Sequence, residues 1–175
     1  LRAFHAIYNP SLAVEVVSLL ADEFPEVELI MVGPDKGDGS LQRTQARADE
    51  LGVRECVRFT GGVAKREVGE WLSRGDIFIN TTNVDNTPVS VIEAMACGLC
   101  VVSTDVGGIP YLLDDGQDAM LVPPGDVRAM AAAVRRILTD GELARRLSHN
   151  ARCKVEPFDW SVILPEWEQL LLQAN

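Results

Sequence analysis

No stretch of this sequence stays apolar for anything near the roughly 20 residues that a membrane-spanning helix needs. A basic, apolar leader with a small-residue cleavage site is missing too, so nothing marks the chain for secretion. Positive charge is scarce. Lys and Arg number 16 against 26 Asp and Glu, a formal net charge of −10. A surface this acidic repels phosphate backbones and anionic lipid, which argues against nucleic acid as a partner. Anionic ligands then need a local site built from backbone donors and a few cations. Histidine is nearly absent, with only His5 and His149, and neither joins a Ser-His-Asp or Cys-His arrangement. There is no internal repeat, low-complexity tract or linker. The expectation is therefore one domain over 1–175, ending in helices over 142–175, long enough to bury a sizeable core. Its expected location is the reducing cytoplasm, peripheral to a membrane at most.

Cysteine is present but poorly placed for chemistry. Cys97-Gly-Leu-Cys100 has redox spacing, yet it follows an apolar helix and leads into a strand. A redox pair sits at a helix N-terminus, where the dipole stabilises a thiolate; here the dipole opposes one. Both cysteines read as small buried residues in a helix-to-strand turn. Asn83-Val-Asp85 lacks the first acid of an Asp-x-Asp metal motif.

What the chain does carry is regular alternation of helix and strand. Asn9-Pro10 reads as a helix start, and Leu12, Ala13, Val16, Leu19 and Leu20 recur at helical spacing up to Pro25. Short apolar strands follow at 27–32, 57–60, 77–80, 100–103 and 119–122. Helices are expected at 41–51, 65–73, 88–96, 109–113, 126–138, 142–154 and 161–173, the last interrupted early by Pro165. This pattern predicts a doubly wound, Rossmann-like α/β fold: a mostly parallel sheet with helices on both faces. Ligands of such sheets bind beyond the carboxyl ends of the strands, which directs attention to 33–39, 61–64, 81–87 and 104–108. The chain starts at Leu1 and reaches Asn9-Pro10 almost at once, leaving little room for a first strand. A fragment of a longer protein is expected, one whose truncated sheet could pair with another chain.

The most informative stretch is Asp85-Asn-Thr-Pro-Val-Ser-Val-Ile-Glu93, continued by Ala94-Met-Ala-Cys-Gly98. Asn86 and Thr87 suit helix caps and Pro88 suits the first helical position. The free N–H groups at such a helix start form an anion site. Glu93, two turns in among apolar neighbours, needs a partner for its carboxylate, and two adjacent ribose hydroxyls would serve. Asp85 could hold a sugar hydroxyl in front of the same phosphates. Spacing alone leaves equal room for a solvated Asp85 and a structural ion pair at Glu93.

The stretch resembles the acidic motif of the group-one family of retaining glycosyltransferases, in which two Rossmann-like domains form the GT-B fold. That motif has two glutamates flanking seven residues ahead of an Ala-Met-Ala-Cys-Gly-like helix end. Further matches follow in family order: Val57-Arg-Phe-Thr-Gly61, Gly75-Asp76, Thr104-Asp-Val-Gly-Gly-Ile-Pro110, Asp115-Gly116 and Leu121-Val-Pro-Pro-Gly-Asp126. The resemblance implies the C-terminal, donor-binding half of an enzyme that transfers a hexosyl group from a UDP- or GDP-sugar, with no metal and no other cofactor. An N-terminal acceptor domain would lie outside this chain, and the chain alone would be inactive. The resemblance places Glu93 on the nucleotide ribose and Asp85 on the transferred sugar. It puts Asn86, Thr87, Pro88 and Val89 around sugar and phosphate, Gly62 and Val63 at the base, and Arg2 on the diphosphate.

Two departures stand out. Asp85 replaces the usual glutamate, so its carboxylate reaches less far. Tyr8-Asn9, one residue beyond strict spacing from Arg2, stands in place of the Lys-Gly that ends the family's Arg-x4-Lys-Gly pattern, so one phosphate cation is missing; Lys36 and Lys65 are the candidates to compensate. A non-catalytic nucleotide or sugar-phosphate binding module, and a GT-B sugar-nucleotide epimerase, are the alternatives.

Overall fold

The computed structural model describes residues 1–173. Helix α1 is Pro10–Ser18, followed by strand β1 (Leu29–Val32), α2 (Ser40–Glu50), β2 (Val57–Gly61), α3 (Val68–Leu72) and β3 (Ile77–Asn80). The chain continues through α4 (Val89–Ala96), β4 (Cys100–Thr104), α5 (Ile109–Leu112), β5 (Met120–Val122), α6 (Val127–Thr139), α7 (Gly141–Val155) and α8 (Trp160–Gln173). All strand pairs are parallel, as the alternation of elements requires.

The strands form two blocks rather than one continuous sheet. One block pairs β1 with β2, and the other runs in the order β3-β4-β5. Between β1 and β3 lies an apolar groove of about 520 Å³, lined by Ile30, Val32, Ile77 and Ile79 among others. The carbonyl of Val32 faces this groove, where it accepts the Arg2 N–H at 2.9 Å. Strand periodicity turns the backbone of Ile30 the same way.

Strand β4 is the spine of the larger block, with all five residues buried. Cys100 and Val102 face Leu12, Val16, Met130 and Leu147 on one side. Val101 faces Val91, Met95, Ile109 and Leu113 on the other. A strand buried on both faces reads as a continuous apolar run, which is why 100–103 stands out in the sequence. Truncating the fully buried Met95 to Ala would cost about 2–5 kcal/mol. Helix α1 spans the two blocks. Val16 packs into the β4 side, while Val14 joins Ala48, Val53 and Val57 beneath β1 and β2.

Three local expectations need correction. Pro88 is not the first residue of α4 but its N-cap, with ψ at 107°; Asn86 and Thr87 lie outside the helix. Pro165 does not interrupt α8, which runs through it. That turn is exposed, so water can take up the carbonyl that loses its donor. Cys97 is exposed, because the left-handed Gly98 (φ 80°) turns the chain directly after it. Cys100 is buried as expected, and its thiol donates to the Ala144 carbonyl at 3.2 Å. Partial desolvation pushes the Cys97 thiol up and burial pushes that of Cys100 up, so neither is poised as a thiolate. Positions 174 and 175 of the expected C-terminal helix lie outside the described residues.

Candidate functional site

The loops at the carboxyl ends of β1 to β4 hold the residues singled out from the sequence. The segment 2–8 is laid across them. Arg2 N–H donates to Val32, Phe4 N–H donates to the Pro34 carbonyl at 2.9 Å, and Ala6 N–H donates to the Asp38 carboxylate at 2.9 Å. Gly33 is required beneath it, because a Cβ there would overlap the Arg2 carbonyl. A Cβ on Gly62 would meet the Pro34 ring at 3.4 Å.

On the β3 side, Thr81 and Thr82 are buried hydroxyls that anchor the loop leading to α4. Thr81 Oγ1 donates to the Tyr8 carbonyl at 2.7 Å, and Asn83 N–H donates to the Ile7 carbonyl at 2.8 Å. The turn 6–8 is thereby clamped to the loop that bears Asp85. Asn9 closes that turn with φ 45° and ψ 55°. Asn is the residue after Gly that best tolerates this left-handed conformation.

Arg2 and Asp85, 83 residues apart, form an ion pair between Nη2 and Oδ2. The Arg2 guanidinium also lies 4.5 Å over the ring of Tyr8, a cation–π contact. Asp85 Oδ1 accepts the Asn86 N–H at 3.0 Å, and the Asp85 carbonyl accepts the Gly108 N–H at 2.9 Å. Gly107 and Gly108 have no room for a Cβ, because the carbonyls of Asp85 and Asn86 sit against them. These glycines therefore form a tight turn under the Asp85 loop, and the Gly108 amide is already committed.

Helix α4 starts from this loop. The N–H groups of Val89 and Ser90 have no acceptor among the described residues, as expected for the first two positions of a helix. Ser90 is buried with its hydroxyl unpartnered. Glu93 is half-buried and forms no hydrogen bond or ion pair among the described residues. Thr87 and Val89 are exposed. The structure thus brings Arg2, Asp85, Asn86 and the start of α4 together, with Glu93 on the same helix. Among the described residues no hydrogen bond links Gly62 or Val63 to Asp85 or Glu93; Gly62 lies beside Pro34, next to the Gly33 that seats Arg2. Lys36 and Lys65 are exposed and form no ion pair among the described residues.

His5 caps the 6–8 turn. Its Nδ1 accepts the Ile7 N–H at 3.2 Å, and its Nε2 lies 3.9 Å from Asp38. Sequence reasoning missed Tyr8 as the platform under Arg2. Its position beside the Asn-Pro helix start was the available signal. Among the described residues no group of three or more His, Cys, Asp or Glu side chains could hold a metal ion.

The family model for glycosyl transferases group 1 matches residues 2–154. The chain belongs to this family. A D-inositol 3-phosphate glycosyltransferase of Streptomyces bingchenggensis is 29% identical over 157 residues, covering 86% of this chain and 34% of the relative. The chain thus spans about a third of the length of the curated relatives it matches. The C-terminal domain of a glycosyl transferase group 1 family protein from Francisella tularensis superposes with a TM-score of 0.82 at 18% identity. That match covers 89% of this chain and 81% of the other. Anabaena HepE, solved with UDP, superposes with a TM-score of 0.90 at 20% identity over 98% of this chain and 48% of its own. HepE has also been solved with UDP-glucose. These likenesses establish the fold, that of the C-terminal half of a GT-B protein. No described helix is long and apolar enough to cross a membrane.

Proposed function

We propose that this chain is the nucleotide-sugar-binding domain of a retaining glycosyltransferase, with a UDP-sugar as the donor. The observation that carries the reading is the convergence of Arg2, Asp85 and the α4 N-terminus at the carboxyl ends of the strands, with Glu93 unpartnered on the same helix. Arg2 and the free N–H groups of Val89 and Ser90 bind the diphosphate and stabilise it as it departs. Asp85 holds the hydroxyls of the transferred sugar, with the backbone at Asn86, Thr87 and Pro88 around them. Glu93 accepts from the two ribose hydroxyls, and the backbone at Gly62 and Val63 meets the base. UDP is the choice because a protein of this fold, HepE, has been solved with it.

The domain supplies positioning and charge stabilisation; the acceptor comes from a second domain that closes over the donor. The size of the curated relatives, about three times this chain, supports that arrangement. Calorimetry with UDP tests the assignment. Glu93→Gln is expected to weaken UDP binding by about tenfold, as for a lost hydrogen bond to a charged group. Unchanged affinity would remove Glu93 from the site.

A further inference from the structure

The Arg2–Asp85 pair has a consequence for which ligands the site accepts. Arg2 is fixed to the β1 block through Val32 and Gly33, and Asp85 is fixed to the β3–β5 block through Gly108 and the close approach of Gly107. Both partners are held by their backbones, so the pair is preorganised. The side chains are only 24% and 13% exposed, so separating them leaves each charge poorly solvated. Arg2 Nε is already buried without an acceptor among the described residues. Lys36 and Lys65 form no ion pair here, and the pair itself has no net charge.

A diphosphate that draws Arg2 away leaves the Asp85 carboxylate without its cation and beside an anion. An intact nucleotide sugar compensates, because its sugar hydroxyls can donate to that carboxylate. A free nucleoside diphosphate lacks the transferred sugar and so offers Asp85 none of its hydroxyls, and its terminal phosphate brings further negative charge near neutral pH. We infer that the Arg2–Asp85 ion pair is a specificity element that favours the intact nucleotide sugar over the spent nucleoside diphosphate. This rests on the donor-binding function proposed above. The same pairing hastens departure of the spent diphosphate, since Asp85 recaptures Arg2.

The test is calorimetric titration of the protein with UDP and with UDP-glucose, for wild type, Asp85→Asn, Arg2→Gln and the double variant. Asp85→Asn is expected to tighten UDP roughly tenfold, the scale of coupling between close charges. UDP-glucose should gain nothing, so the preference for the intact donor collapses. In the Arg2→Gln background the same substitution should tighten UDP clearly less, because only the charge repulsion and not the competing ion pair is then removed. Should Asp85→Asn fail to fold, Asp85→Ala keeps the backbone contacts to Gly108 and serves in its place. UDP binding that is unchanged or weaker in the Asp85 variant overturns the inference. Equal tightening with and without Arg2 also overturns it, because it would reflect simple charge repulsion rather than the pair. Absence of binding by either ligand to any of the proteins defeats the donor-binding function itself, a distinct outcome.

Discussion

Gly33 lies directly beneath the Arg2 carbonyl, so close that any side chain at position 33 would collide with the backbone of residue 2. The one arginine of the candidate site is therefore placed by a glycine at the end of β1. Gly33→Ala must push the 2–8 segment outward. The expected cost is about 1–3 kcal/mol of stability, as for other overpacked positions, together with loss of the Arg2–Asp85 contact. Thermal unfolding measures the first. UDP affinity, compared with that of Arg2→Gln, measures the second.

Lys154, near the end of α7, bridges Asp114 at 2.8 Å and Asp118 at 2.6 Å, and Asp118 is buried. Burial draws the Lys154 ammonium down, but the hydrogen bonds to Asp114 and Asp118 outweigh it and raise its pKa. Because the folded value lies above the unfolded one, near 10.4, the stabilisation is complete below that pH and fades as pH rises through the folded value. Lys154→Met strands the buried Asp118 carboxylate and is expected to cost about 3 kcal/mol. Chemical denaturation at pH 7 and pH 11 should show the gap between wild type and variant narrowing at the higher pH.

Asp38 behaves in the opposite sense. Hydrogen bonds from the Ala6 N–H, the Ser40 N–H and the Ser40 hydroxyl hold its pKa at about 2 rather than 3.8. The folded value is depressed, so its stabilisation is present above pH 3.8 and is lost as pH falls through about 2. The turn at residues 6–8 should loosen first in acid, because Ala6 is one of the donors. Carboxyl titration by NMR and acid unfolding of Asp38→Asn against wild type check this, the variant being expected to show a shallower acid limb.

Most of the element order was legible because buried parallel strands such as Cys100–Thr104 are apolar throughout and are separated by amphipathic helices. The Asp85–Glu93 stretch was legible for a related reason: a proline, a helix start and an acid two turns in can be read locally. Other features depend on contacts distant in sequence. The Arg2–Asp85 pair exists only because Gly33, Gly107 and Gly108 let three backbones approach one another, and no local pattern records that. The division of the strands into two blocks is likewise invisible along the chain, since β1 and β3 look alike as apolar runs. Pro88 was misplaced by one position because proline favours the first helical position, whereas here its extended ψ of 107° leaves it outside the helix as the cap. Tyr8 was recognised only as a departure from a family pattern, whereas its ring supports Arg2.

The central claim is that one nucleotide site joins the loops after β1, β2 and β3. The most direct test is an NMR titration of the protein with UDP, GDP and ADP. The account predicts saturable shifts at Arg2, Gly62, Val63, Asn86, Thr87, Val89 and Glu93 with UDP, and weaker ones with the other two. No saturable shift at these residues with any nucleotide, or shifts confined to another face of the molecule, would contradict it.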